Sequence, residues 1–270
     1  MPQRLISFDL KADFGCMKKP DVNDGLMLTF NMLHKPALLG ILGAIVGLKG
    51  YSKNKEFPEY YTVFKDLKIG IEPLLHDKGN FTKTAIKYTN TVGYANKNEQ
   101  GGGTTQIIEE QTLIAPAYRC YVLLDSDNEK QNELYERIRK SEAVYLPYIG
   151  KNECATWFLT DDTEGYGFKE YDEMKTFKPS SNFLINSLFI RDYPLKDNRA
   201  KPKISPSTRS IINQSSFAYF ERLPMRFDET LFQYELAEFA YSDWFFQSDS
   251  IAEDLYEIRK DNQSKIIQLF

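Results

Sequence analysis

Proton-transfer chemistry has little to draw on in this chain, because His34 and His76 are the only imidazoles among its 270 residues. Metal-free cleavage of RNA needs a base for the ribose hydroxyl and an acid for the leaving oxygen. His76 is preceded by Leu75 and followed by Asp77, so no lysine stands before it, and neither histidine can be assigned to either task. Tyr51, just after an apolar run, is the one residue that keeps such a reaction open. No carboxylates have the spacing of a metal nuclease. Asp125-Ser126-Asp127 reads as the end of a strand and the cap of a helix, so neither metal nor cofactor is expected. Cys16, Cys120 and Cys154 lie far apart, which excludes a disulfide framework and zinc spacing and fits a reducing compartment. The expectation is a chain that catalyses nothing.

Binding chemistry is better supplied. The net charge is −4, so no overall positive field marks a nucleic-acid binder, but the charges are segregated. Lys83, Lys87 and Lys97 lie in an acid-free stretch with Tyr88 among them, a mixture of cations and flat groups suited to single-stranded RNA. Lys201, Lys203 and Arg209 belong to a basic, Pro-rich segment expected to order on binding. Lys18 and Lys19 open a polar loop. His34 and Lys35 precede Pro36, where a helix N-terminus would offer free N–H groups to a phosphate. Asp228 to Glu257 holds nine acids and no Lys or Arg, a stretch left to solvent or to a basic neighbour. Taken alone, each charge run reads first as a solvated loop or face.

The elements that must position these residues follow from periodicity. Leu5 to Leu10 alternates as a half-buried strand. Leu38, Ile41, Leu42 and Ile45 recur as the core stripe of a helix with Pro36 in its first turn. Ala37, Gly40, Ala44 and Gly47 form a second stripe of small residues beside Gly43. Glycines cost a helix about 1 kcal/mol each, so close approach of another backbone, tight packing on a sheet or direct RNA contact should offset them. Leu67 to Pro73 is a strand, Thr82 to Tyr94 and Thr105 to Ala115 a long hairpin, Tyr118 to Leu124 a strand, and Asn128 to Lys140 a helix capped by Asp127. A terminal hairpin turns at Lys260 to Gln263. The order predicts an α+β fold: a ferredoxin-like (RRM-like) core over 1–150 with a protruding hairpin at about 80–110, and a strand-rich C-terminal part over 151–270 packed on it. The RRM signature that stacks bases on a sheet is absent, so the sheet face is not expected to bind RNA. The first residues have no apolar leader-like run and no stretch reaches the roughly 20 apolar residues of a membrane span, so a cytoplasmic, membrane-free chain is expected.

Ile6-Ser7-Phe8-Asp9-Leu10-Lys11-Ala12-Asp13-Phe14-Gly15 and the glycine-rich run His34 to Leu48 resemble the opening strand and first helix of the CRISPR-associated family-five (Cas-five) subunits, most closely those of type I-B. Tyr148-Ile149-Gly150-Lys151 is similar to that family's mid-chain leucine-glycine-basic motif, and Phe220-Glu221-Arg222-Leu223-Pro224 to a late stretch. The resemblance implies a subunit of the type I-B Cascade complex with a hairpin thumb. It would hold the 5′ handle of the CRISPR RNA, cap the filament of backbone (Cas-seven) subunits, adjoin the large (Cas-eight) subunit and meet target DNA only indirectly. Lys11 and Lys151 join the RNA-binding candidates through these motifs. Val46 stands where RNA-cleaving relatives keep a tyrosine, and their Lys-His pair is missing.

Overall fold

The computed structural model describes residues 3–21, 25–53, 55–90, 106–159, 167–194, 200–202, 204–205, 216–246 and 251–270. Lys97, Lys203 and Arg209 lie outside them; Lys201 belongs to a short strand, Ala200–Pro202, whose side chains are likewise outside the description.

Strand β1 (Gln3–Ala12) is the centre of the main sheet. It is followed by helices α1 (Lys35–Ile45) and α2 (Glu59–Phe64) and by strand β2 (Lys68–Leu74). Strands β3 (Lys83–Asn90) and β4 (Gln106–Ile114) then form the hairpin. Strand β5 (Ala117–Asp125), helix α3 (Glu129–Arg139) and strand β6 (Thr156–Leu159) complete this part. The sheet runs β2-β5-β1-β6, every neighbour antiparallel. The chain is therefore mixed α/β and rich in strands, as expected.

Alternation along β1 divides the sheet's two faces. Ile6, Phe8 and Leu10 pack with Ile69, Ile71, Val122 and Leu124 under α1 and α3. The opposite face, Leu5, Tyr121 and Leu123, is closed by Ile258, Ile267 and Leu269. Those residues belong to or follow the terminal hairpin of β11 (Leu255–Lys260) and β12 (Gln263–Gln268). Asp261 and Asn262, both at positive φ, make its two-residue turn. The face that an RRM leaves open is thus covered by protein. Within it, Asp9 is fully buried and grips Arg119, its cross-strand partner, through two bonds of 2.8 Å.

Between these parts lie β7 (Glu173–Thr176), β8 (Phe189–Pro194), β9 (Ala218–Phe227) and β10 (Tyr234–Ser242). In the second sheet β10 lies between β8 and β9, and β9 forms one edge. Pro224 stands where the β9–β10 register slips, at an edge and a bulge, where a residue without N–H is tolerated. Leu223, Phe227, Ala237 and Phe239 join the same core cluster as β1 and α1.

Two expectations need correction. Asn128, not Asp127, caps α3, its side chain taking the Gln131 N–H at 3.1 Å. Gly47 is outside α1: at φ +75° it turns the chain beyond the C-cap Val46, as glycine does there. The described acids after Asp228 stay at or near the surface, as expected, and some of them meet cations of neighbouring elements. Lys65 meets Glu229 at 2.7 Å, Arg226 pairs with Glu235, and Arg222 lies 3.7 Å from Glu238.

Candidate nucleic-acid interface

The hairpin register runs from Lys83 opposite Leu113 to Asn90 opposite Gln106, so Lys83 and Lys87 share one face and Tyr88 lies on the other. The cations are mostly committed. Lys87 is exposed but pairs with Glu109 across the ladder at 2.6 Å. Lys83 turns inward, its ammonium 2.7 Å from Asn31 Oδ1, and burial lowers its pKa. On the opposite face Lys151 Nζ lies 2.6 Å from Glu110 Oε1 and 3.1 Å from the Tyr88 hydroxyl, above the Tyr88 ring. Lys19 meets Glu221 at 3.0 Å, and Lys11 is half-buried on β1.

Residues that sequence reasoning passed over hold this region together. Asn31 accepts the Phe81 N–H at 3.1 Å, donates to Gly79 O at 2.9 Å and takes the Tyr118 hydroxyl on its carbonyl at 2.6 Å. Glu221 accepts the N–H groups of Asn31 and Met32 at 3.0–3.2 Å. It therefore ties β9 to the loop that leads into α1. Partners 190 positions apart leave no local sequence signal.

The expected phosphate site at the start of α1 is not built. His34 is the N-cap, and its Nδ1 accepts the Ala37 N–H at 3.3 Å while its carbonyl takes that of Leu38. Burial pulls its pKa down to about 3, so the ring is neutral. Lys35 is buried as well, its ammonium 3.1 Å from Phe270 O and its pKa pulled down by burial to about 8. His76 is equally structural: Nδ1 accepts the Gly79 N–H at 2.9 Å and Nε2 lies 3.3 Å from the Tyr241 hydroxyl.

Close approach of another backbone, one of the readings the small residues of α1 offered, occurs at Gly43, where an added Cβ would lie 3.6 Å from the Tyr60 Cα of α2. A Cβ on Gly43 would sit 2.3 Å from Tyr60 Cβ, so glycine there seats the Tyr60 side chain of α2. Beside it opens a cleft of about 550 Å³ with Ala37, Gly40 and Ala44 on one side. Tyr51, Tyr60, Tyr145, Tyr148 and Tyr234 also line it. The segment bearing Tyr145 is fixed where Val144 and Tyr145 donate to the carbonyls of Ile45 and Ala44 at 3.1 and 3.0 Å. Gly150 closes the far end at φ +84°, where a Cβ would stand 1.8 Å from Cys16 O. The lining contains no acid, and its single lysine is the exposed Lys18. Burial raises the pKa of Tyr51 and Tyr60, which hydrogen-bond to each other, so both stay protonated at neutral pH. Among the described residues no cluster of three or more His, Cys, Asp or Glu could hold a metal, and no helix is long and apolar enough to cross a membrane.

No family model and no curated protein matches the sequence. Among solved structures, the chain is similar to a CRISPR protein from Archaeoglobus fulgidus, with 12% identity and a TM-score of 0.45 over 98% of this chain and 99% of that one. It is similar to a chain of a CRISPR RNA-guided surveillance complex, with 11% identity and a TM-score of 0.46 over 88% of this chain and 90% of that one. It is also similar to a chain of the type III-B Cmr-beta complex bound to cognate target RNA, with 10% identity and a TM-score of 0.46 over 91% and 86%. These structural neighbours are CRISPR-associated proteins and subunits of RNA-guided complexes.

Proposed function

We propose that this chain is a non-catalytic, RNA-holding subunit of a CRISPR effector ribonucleoprotein, of the Cas-five kind found in type I-B Cascade. The observation that carries the proposal is local: the glycine-rich run 34–48, which bears the family resemblance, is also one wall of the acid-free tyrosine cleft. Flat rings, hydroxyl donors and an exposed lysine suit unstacked bases and their phosphates. The sheet supports the accompanying fold assignment. In its order β6-β1-β5-β2, α1 lies between β1 and β2 in the chain and α3 between β5 and β6, the arrangement of a ferredoxin-like unit. The β3–β4 hairpin is then the insertion corresponding to a thumb.

The partners proposed with this function are the 5′ handle of the CRISPR RNA, a backbone subunit and a large subunit. Non-catalysis accords with His34 being buried, neutral and capped onto Ala37, and with His76 being occupied in a turn. The test is filter binding of the purified chain to labelled repeat RNA in EDTA. Saturable retention of uncut RNA, weakening with salt, is expected. Site-specific cleavage in EDTA would make it an endoribonuclease instead. Absence of retention at any salt would leave a protein-only adaptor.

A further inference from the structure

Within the cleft, the His34 ring packs edge-on against Phe30 and Tyr234, and its Nε2 has no hydrogen-bond partner among the described residues. His34 is only 5% exposed, and its Nδ1 is occupied by the Ala37 N–H. Its proton therefore sits on Nε2. No described residue hydrogen-bonds that nitrogen, although Thr112 Oγ1 is the one described side-chain atom that is both fully enclosed and unpartnered. The Nε2–H thus reaches the surface, and the surface that His34 lines is the cleft. A largely enclosed donor left unmatched is costly, and an arriving acceptor relieves that cost.

The remaining lining narrows what could bring the acceptor. Ala37, Gly40 and Ala44 present a helix surface without projecting side chains, and tyrosine rings stand around it. Such a space admits a flat ring between a smooth floor and aromatic walls. About 550 Å³ lies within the range of small-ligand pockets and holds one nucleotide rather than a folded element. With Lys18 as the only charged group of the lining, an anion is tolerated and a cation has no carboxylate to meet.

We propose that this cleft is a slot for one unstacked nucleobase of bound RNA, in which His34 Nε2–H donates to a base acceptor and Lys18 meets the adjoining phosphate. The proposal rests on the RNA-holding function above and adds where, and by which chemistry, a single base is held.

The test is photocrosslinking of the full chain to repeat RNA carrying one iodouridine, moved one position at a time, with the attachment point mapped by mass spectrometry. One RNA position should crosslink to Tyr51, Tyr60, Tyr145 or Tyr148, and positions elsewhere should not. Gly40→Leu puts a branched side chain into the slot from a position where the Cβ itself meets Tyr60 at an ordinary 3.7 Å. It should abolish that crosslink while the melting temperature holds. Tyr51→Ala, at a residue 63% exposed, should weaken RNA binding about five- to hundredfold, the loss of one base–aromatic stack. RNA that binds but crosslinks to none of these tyrosines, or keeps its crosslink in Gly40→Leu, overturns the slot and leaves the RNA-holding function standing. A chain that retains no RNA overturns both.

Discussion

Gly150→Ala should destabilise this protein more than any other glycine-to-alanine change outside a helix, and its size can be worked from three glycines. At φ +84° an alanine carries a left-handed penalty of about 1–2 kcal/mol. Its Cβ would also fall 1.8 Å from Cys16 O and 2.4 Å from Cys16 C, backbone atoms that cannot rotate away. The strand segment must retreat and lose the Cys16 N–H bond to Ile149 O, now 3.1 Å, worth about 0.5–1.5 kcal/mol. The sum is about 1.5–3.5 kcal/mol, or a fall of about 3–14 °C in melting temperature for a chain of this size. Gly25, at φ +68° with nothing near its missing Cβ, should show the backbone penalty alone. Gly50, with open space and no positive φ, should stay within about 1 kcal/mol of the parent. Thermal and urea unfolding of the three alanine variants side by side measures each contribution. A Gly150→Ala protein no less stable than Gly25→Ala would refute the claimed contact between the Ile149-Gly150-Lys151 segment and Cys16.

The remaining predictions are briefer. Asp9→Ala strands the Arg119 guanidinium inside the sheet and should cost about 3–5 kcal/mol in urea unfolding, whereas Asp9→Leu with Arg119→Met should recover much of that loss. His34 is neutral when folded down to about pH 3 but takes a proton near pH 6.5 when unfolded. The unfolded state therefore binds more protons between those values, and stability falls as pH drops through that window by up to about 1.4 kcal/mol per unit. His34→Gln should flatten that part of the stability–pH curve relative to the parent. Lys18→Gln should reduce the salt slope of RNA binding by about 0.7, while Lys83→Gln, whose ammonium is held by Asn31, should shift the unfolding midpoint and leave the slope alone.

Local signals carried the elements and long-range ones were lost. The Leu38-Ile41-Leu42-Ile45 stripe is buried as its spacing predicts, the terminal hairpin turns where its polar run stands, and the β5 strand extends one residue beyond its expected ends. The cleft was legible only in part. Alanine and glycine at three- and four-residue spacing marked one face of α1, but Tyr60, Tyr145 and Tyr148 reach it from segments the pattern does not connect. A run of lysines shows local charge, but a ladder partner such as Glu109 or a remote one such as Glu221 cannot be read from it. Lys35 shows the same limit: its partner is the Phe270 carbonyl, 235 positions away.

The central claim, that this chain holds a guide RNA and does not cut it, is tested most directly by sequencing the RNA that copurifies with it when it is expressed with its neighbouring genes and repeat array. A uniform short RNA sharing one repeat-derived 5′ end is predicted, with that end unchanged in Tyr51→Phe and His76→Gln variants. Purification free of RNA, or with a random sample of cellular RNA, would contradict the claim.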